Sequence, residues 1–245
     1  MFGGKTIEVP MTADHRFDLP AILRAVTPQT RLIFLCTPNN PTGTIIKRRE
    51  ADQFMAQVPE QVVVVFDESY GDFATDPEHV ASIKYIKEGR NVISVRSFSK
   101  KSGLANMRVG YAIGRAEVVE YLHHAQVPFN TGSVSLAAAA ASLDDHDYQR
   151  RSTQLVKEER EYLYVAFDAL DLDYVRSEAN FVLIVDPPVK AQALVDAVLR
   201  KGVIVRWAGS MGMPDAVRVT LGRHEENEEF VAALRAVLEE ARVMA

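Results

Sequence analysis

The sequence predicts an α/β fold. A mainly parallel, helix-covered sheet is expected over residues 1–145, and a smaller α+β domain over 146–245, joined by a long helix. Three observations predict this. Short β-branched and apolar runs at 31–35, 62–66 and 91–95 alternate with helix-patterned stretches. These runs are continuously apolar, as strands are when helices cover both faces of a parallel sheet. After about residue 170 the rhythm changes to shorter strands and two amphipathic helices.

The elements follow in order. Thr6–Val9 reads as a short strand. Asp18 is a fitting N-cap for a helix over 19–25, with Pro20 tolerated in its first turn. The strand at 31–35 ends in Thr37-Pro38-Asn39-Asn40-Pro41-Thr42-Gly43, a dense turn signal. Helical periodicity covers 47–58, and the strand at 62–66 ends in Asp67-Glu68-Ser69-Tyr70. A short helix over 83–88 is stopped by Gly89. The strand at 91–95 leads into Ser97, Ser99 and Lys100, a Gly103 turn, Arg108 and a further strand at 109–113. Ala116–Ala125 is an amphipathic helix, and 133–143 a small-residue helix whose alanines at 137–141 suggest close packing. A charged helix spans 147–170, followed by strands at 172–175, 180–185, 203–206 and 216–221. Helices fill 191–201, stopped by Gly202, and 225–242.

Composition narrows the function. The chain has 245 residues, 47% hydrophobic and 25% charged, enough to build a sizeable core. Net charge is −5 and no Lys/Arg-rich run occurs, which argues against nucleic acid and anionic membranes as partners. A lone cysteine, Cys36, cannot build a disulfide framework and suits a reducing cytoplasm. No apolar stretch is long enough to span a bilayer, and the first residues lack a signal-peptide core. The histidines show no metal-ligand spacing, so no metal is expected.

In parallel sheets ligands bind at the carboxyl ends of strands. Three successive strands here end in polar groups: Asn40, then Asp67 with Tyr70, then Ser97 with Lys100. A lysine at the end of an apolar strand is unusual. Burial lowers its pKa, and the neutral amine then attacks carbonyls. Ser97, Ser99 and Arg108 offer hydroxyls and a guanidinium, the equipment for a phosphate monoester. Lys100 beside such a cup suggests pyridoxal 5′-phosphate, with Asp67 as the anion at the pyridine nitrogen and Asn40 and Tyr70 as donors to the ring oxygen. Each residue alone also has a plain reading: an exposed basic loop, a turn carboxylate, a Pro-flanked asparagine, a half-buried tyrosine.

Taken together, Asn39-Asn40-Pro41-Thr42-Gly43, Asp67-Glu68-Ser69-Tyr70 and Ser97-x-Ser99-Lys100 with Arg108 resemble the fold type I pyridoxal-phosphate aminotransferases. Pro128-Phe129-Asn130, Glu178-Ala179-Asn180-Phe181 and Val217-Arg218-Val219-Thr220-Leu221-Gly222 bring the resemblance nearest to the histidinol-phosphate aminotransferase group. The resemblance implies catalytic roles for Lys100, Asp67 and Tyr70. It implies that Asn40, Asp67, Tyr70, Ser97, Ser99, Lys100 and Arg108 hold the cofactor. Arg218 matches the arginine that clamps a substrate α-carboxylate, Asn180 a residue near that carboxylate, and Arg206 an arginine near the substrate side chain or its phosphate.

The implied activity is transamination of an amino-acid-like phosphate with 2-oxoglutarate, in a cytoplasmic homodimer acting on small molecules. A threonine-phosphate-type decarboxylase is the alternative. The resemblance also implies that the family's N-terminal segment is absent, so a truncated, catalytically impaired form is the further expectation.

Overall fold

The computed structural model describes residues 3–244, which form two compact units. The first unit takes the residues up to Thr37, then Ile45–Ser69 and Asp76–Ala141. The second takes Pro38–Thr44, Tyr70–Thr75 and the chain from Ser142 onward. The loops that follow the first two strands, which a linear cut at 145 assigns to the N-terminal part, therefore group by contact with the C-terminal unit.

The first unit is built on a four-stranded sheet in the order β1 (Leu32–Cys36), β2 (Val63–Asp67), β3 (Val92–Ser97), β4 (Gly110–Gly114). The first three strands are parallel and β4 is antiparallel to β3. One face carries Ile33, Leu35, Val64, Phe66 and Val92. They pack with Leu19 of α1 (Leu19–Ala25), Phe54 of α2 (Arg48–Met55) and Tyr85 of α3 (Ile83–Lys87). Caps set the helix starts. The Asp18 carboxylate accepts the Ala21 N–H at 2.8 Å, and Glu50 reaches back to the Lys47 N–H at 3.0 Å. Gly89 follows α3 at φ +79°, a left-handed stop that costs glycine little. Helices α4 (Ala116–Ala125) and α5 (Ser133–Asp144) follow β4, and α5 continues into the second unit.

The second unit is an antiparallel sheet in the order β5 (Tyr174–Val175), β6 (Phe181–Val185), β8 (Ala216–Thr220), β7 (Arg206–Trp207). Helices α6 (His146–Ala169), α7 (Ala191–Arg200) and α8 (His224–Met244) pack on it. In α6 the buried apolar positions Val156, Leu163 and Phe167 recur at helical spacing. They meet Val182 and Ile184 of β6, Val217 and Val219 of β8, and Phe230 and Leu234 of α8. The other side of β6 is buried as well, with Leu183 against Val175, Ala208 and Ala216.

Four expectations need correction. Thr6–Val9 forms no strand. It has no ladder partner among the described residues and is largely exposed. β1 is not buried on both faces: Leu32 and Phe34 are 53% and 68% exposed, because helices cover only its other side. Of the alanines at 137–141, only Ala139 is buried, so the stretch is not a close-packed seam. The strand expected at 203–206 starts at Arg206, where pairing with β8 begins.

Candidate active site

In the first unit β2 and β3 are adjacent and parallel, with Asp67 opposite Val95, so their carboxyl ends share one edge of the sheet. Asp67 closes β2 and is half-buried. Its Oδ1 accepts the Ser69 N–H at 2.9 Å, and its carbonyl accepts the Thr37 N–H at 2.8 Å, tying the end of β2 to the end of β1. Ser97 closes β3. The turn beyond it holds Ser99 and the half-buried Lys100.

Ser97 Oγ accepts the Ser99 N–H at 3.0 Å. Arg108 Nη1 donates to the Ala105 carbonyl at 2.9 Å and reaches Ser99 Oγ at 3.5 Å. The structure therefore gathers Ser97, Ser99 and Arg108 on one β3–β4 connection. Two backbone features shape this turn. Arg108 is left-handed at φ +49°, a strained state for a side-chain-bearing residue, of the kind that concentrates at functional sites. Gly110 passes so close to β3 that an added Cβ would lie 2.6 Å from the Arg96 carbonyl oxygen.

Sequence reading missed Glu68. Its side chain points away from Asp67 by strand alternation and is buried. It accepts Ser82 Oγ at 2.8 Å, a short hydrogen bond from Ser94 Oγ, and Arg96 Nη2 at 3.1 Å. A buried carboxylate needs such partners. These donors tie the end of β2 to β3 and to the start of α3.

The second unit gathers Asn40, Tyr70 and Arg218. Arg218, on β8, donates from Nη1 to Asn40 Oδ1 at 2.7 Å. Its guanidinium carbon lies 4.9 Å from the centroid of the Phe181 ring. The Tyr70 ring meets the same Phe181 edge-on, with centroids 5.1 Å apart. Arg218 Nε is buried without a hydrogen-bond partner among the described residues. Burial first, and the positive charge of Arg206 after it, pull the Arg218 pKa below the usual arginine value, while Tyr70 opposes the shift. Arg206 is exposed on β7, in register with Arg218. Asn180 is half-buried just before β6, and its carbonyl accepts the Leu221 N–H at 3.0 Å. The role of Phe181 as a platform was missed. The only sequence signal for it is its place in the Glu178–Phe181 stretch.

One constellation thus presents an amine, a carboxylate, hydroxyls and a guanidinium at a sheet edge. The other presents a partly buried guanidinium against an aromatic ring. The first suits an aldehyde-bearing phosphate ester, the second a carboxylate.

The aminotransferase class I and II family model matches residues 1–234. The chain is 43% identical over 239 residues to a histidinol-phosphate aminotransferase of Moorella thermoacetica, covering 97% of this chain and 61% of the relative. It is 39% identical over 238 residues to one from Caldicellulosiruptor saccharolyticus, covering 97% of this chain and 66% of that relative. The chain therefore spans just under two thirds of the length of these relatives. Among solved structures, the histidinol-phosphate aminotransferase of Sinorhizobium meliloti in complex with pyridoxal-5′-phosphate superposes with a TM-score of 0.89. That match is 28% identical and covers 98% of this chain and 66% of the other. The chain belongs to the aminotransferase class I and II family.

Proposed function

We propose that the protein is a pyridoxal 5′-phosphate-dependent aminotransferase of the histidinol-phosphate type, moving an amino group from an amino-acid-like phosphate to 2-oxoglutarate. The observation that carries this reading is the carboxyl edge of the first unit's sheet, where β2 ends on Asp67 and neighbouring β3 runs into Ser97, Ser99 and Lys100. The names of the relatives support the substrate class. The cytoplasmic setting, the homodimer and a cofactor-binding part over 1–145 with a smaller domain over 146–245 belong to the same proposal.

The residues present fit the cofactor. Arg108 and the Ser97 and Ser99 hydroxyls form one hydrogen-bonded group suited to a phosphate dianion, and Lys100 lies in the same turn. Asp67 would supply the anion that keeps the pyridine nitrogen protonated. When bound, pyridoxal phosphate supplies an electron sink for the pair left when a substrate Cα–H bond breaks.

The chain's own residues do the rest. Lys100 would hold the cofactor through its aldehyde and would carry the substrate Cα proton as general base and acid. By the family resemblance, Asn40 and Tyr70 would donate to the ring oxygen. Arg218 would receive the carboxylate of the amino acid or oxo acid with its guanidinium, which lies against the Phe181 ring and is held on one arm by Asn40. Asn180 would lie toward that carboxylate, and Arg206 toward the substrate's side-chain anion, as the family resemblance implies.

Product analysis tests the reading. The chain with pyridoxal phosphate, histidinol phosphate and 2-oxoglutarate should yield glutamate and the matching oxo phosphate by mass spectrometry. Neither product, or a decarboxylated amine from threonine phosphate instead, contradicts it.

A further inference from the structure

Asn40, Tyr70 and Asn180 lie far apart in sequence, and something must hold their three segments together. In the second unit two residues, Arg160 and Glu178, together touch all three. Arg160, in the middle of α6, is 4% exposed. Its Nη1 donates to the Ser177 carbonyl at 2.7 Å. Its Nη2 donates to Thr75 Oγ1 at 3.2 Å and approaches the Phe73 carbonyl at 3.5 Å. The Glu178 carboxylate stands 3.6 Å from the same guanidinium. That carboxylate accepts a short hydrogen bond from the Thr75 N–H and another from Thr75 Oγ1 at 3.1 Å, while the Glu178 N–H donates to the Gly43 carbonyl at 2.8 Å. Gly43, at φ +75°, allows this approach, since a Cβ there would collide with the Ser177 side chain. Tyr164 closes the cluster, accepting the Ser177 N–H at 2.8 Å.

We infer that Arg160 and Glu178 are a positioning pair for substrate recognition. They lock the Asn40 loop, the Tyr70 turn and the entry to β6 into one piece, and thereby place the partners of Arg218. The inference deepens the proposed function and rests on its reading of Arg218, Asn40 and Tyr70. Neither residue touches substrate. Each acts through the loops it holds. A buried guanidinium with several acceptors has few substitutes, because each acceptor needs a donor at a fixed angle. Removing one partner leaves the others buried and unsatisfied. The residues that would hold the cofactor phosphate and aldehyde belong to the other unit. Loss of the pair should therefore weaken substrate recognition and loosen the Asn40 and Tyr70 donors, while the Lys100 turn and the phosphate group keep their own hydrogen bonds.

The test uses Glu178→Gln, which keeps size and an acceptor oxygen, and Arg160→Lys, which keeps the charge and loses the fork. L-glutamate is the probe, read as the change it causes in the absorbance of the cofactor-loaded chain. Glu178→Gln should raise the apparent Kd for L-glutamate about tenfold and shift the pH midpoint of the cofactor's visible band in the direction seen for Tyr70→Phe. At saturating pyridoxal phosphate it should leave Lys100 labelling at the wild-type level. In the chain without cofactor, amide exchange over 38–44 and 70–75 should speed up by about tenfold. Arg160→Lys should show the same pattern; should it fail to fold, Glu178→Gln decides. Faster exchange with unchanged glutamate affinity and unchanged spectrum would make the pair merely structural and overturn the inference. If Arg218→Ala itself leaves glutamate binding unchanged, the reading of Arg218 fails instead. The pair's part in substrate recognition falls with it, and the exchange rates then decide only whether the pair holds the two loops, unchanged rates overturning that too.

Discussion

The two constellations are built in opposite ways. In the first unit, Ser97, Ser99, Lys100 and Arg108 come from a single strand-to-strand connection, and only Asp67 is brought in from the next strand. In the second unit, the Arg218–Asn40 hydrogen bond joins residues 178 positions apart, and Tyr70 reaches the same Phe181 ring from a third segment. The first group is half-buried or exposed and held by turn hydrogen bonds. The second has a partly buried guanidinium, an aromatic floor and a buried arginine behind it. The group proposed for the amine chemistry is assembled locally. The group proposed to recognise a carboxylate is assembled by packing.

The sharpest break of this contrast comes at Lys100. Lys100→Ala should abolish the visible absorbance of the cofactor-loaded chain and lower transamination by about 10³-fold or more, since no neighbour can replace both the bond to the aldehyde and the proton carrier. A variant that keeps its rate would move the chemistry elsewhere.

Packing comes next in size. Phe167→Ala in the second core and Phe66→Ala in the first, both fully buried, should each cost about 3–5 kcal/mol in urea unfolding. Phe34→Ala, at a site 68% exposed, should stay within about 0.5 kcal/mol. Arg218→Lys should then weaken glutamate binding by about 10- to 100-fold, because an ammonium cannot serve Asn40 and a carboxylate with one planar fork. Equal affinity for wild type and Arg218→Lys would deny the second constellation its role.

The smallest effect lies at Asp52, whose pKa is lowered chiefly by its hydrogen bond from Lys84 and then by that from Tyr85. A carboxylate depressed in the folded state adds stability above its unfolded value near 3.8, and that stability is lost as pH falls through the folded value. The Tm gap between wild type and Asp52→Asn should be about 2 °C or less at pH 7 and close below pH 3.8. A gap that persists in acid would remove the ionised carboxylate as its cause.

What could be read from sequence follows the same division. The α1 boundaries, the Asp18 cap and the glycine stops at 89 and 202 are local signals, and the structure has them where the residues indicate. The β2–β3 edge was legible because each strand announces its own polar end. Arg160 was not, since an arginine on a charged helix looks solvated until α6 is seen packed over Ser177 and Thr75. Glu68 was hidden in the same way, its donors lying 14, 26 and 28 residues away. The exposed face of β1 failed for another reason: an apolar run reports what a strand is able to bury, and Phe34 finds no cover among the described residues.

The central claim is that Lys100 is the amine that takes the cofactor. Borohydride reduction of the chain mixed with pyridoxal phosphate, followed by tryptic mapping, tests it most directly. The account predicts a single pyridoxyl label on Lys100. A label on Lys101 or on scattered surface lysines, or no label at all, would contradict it.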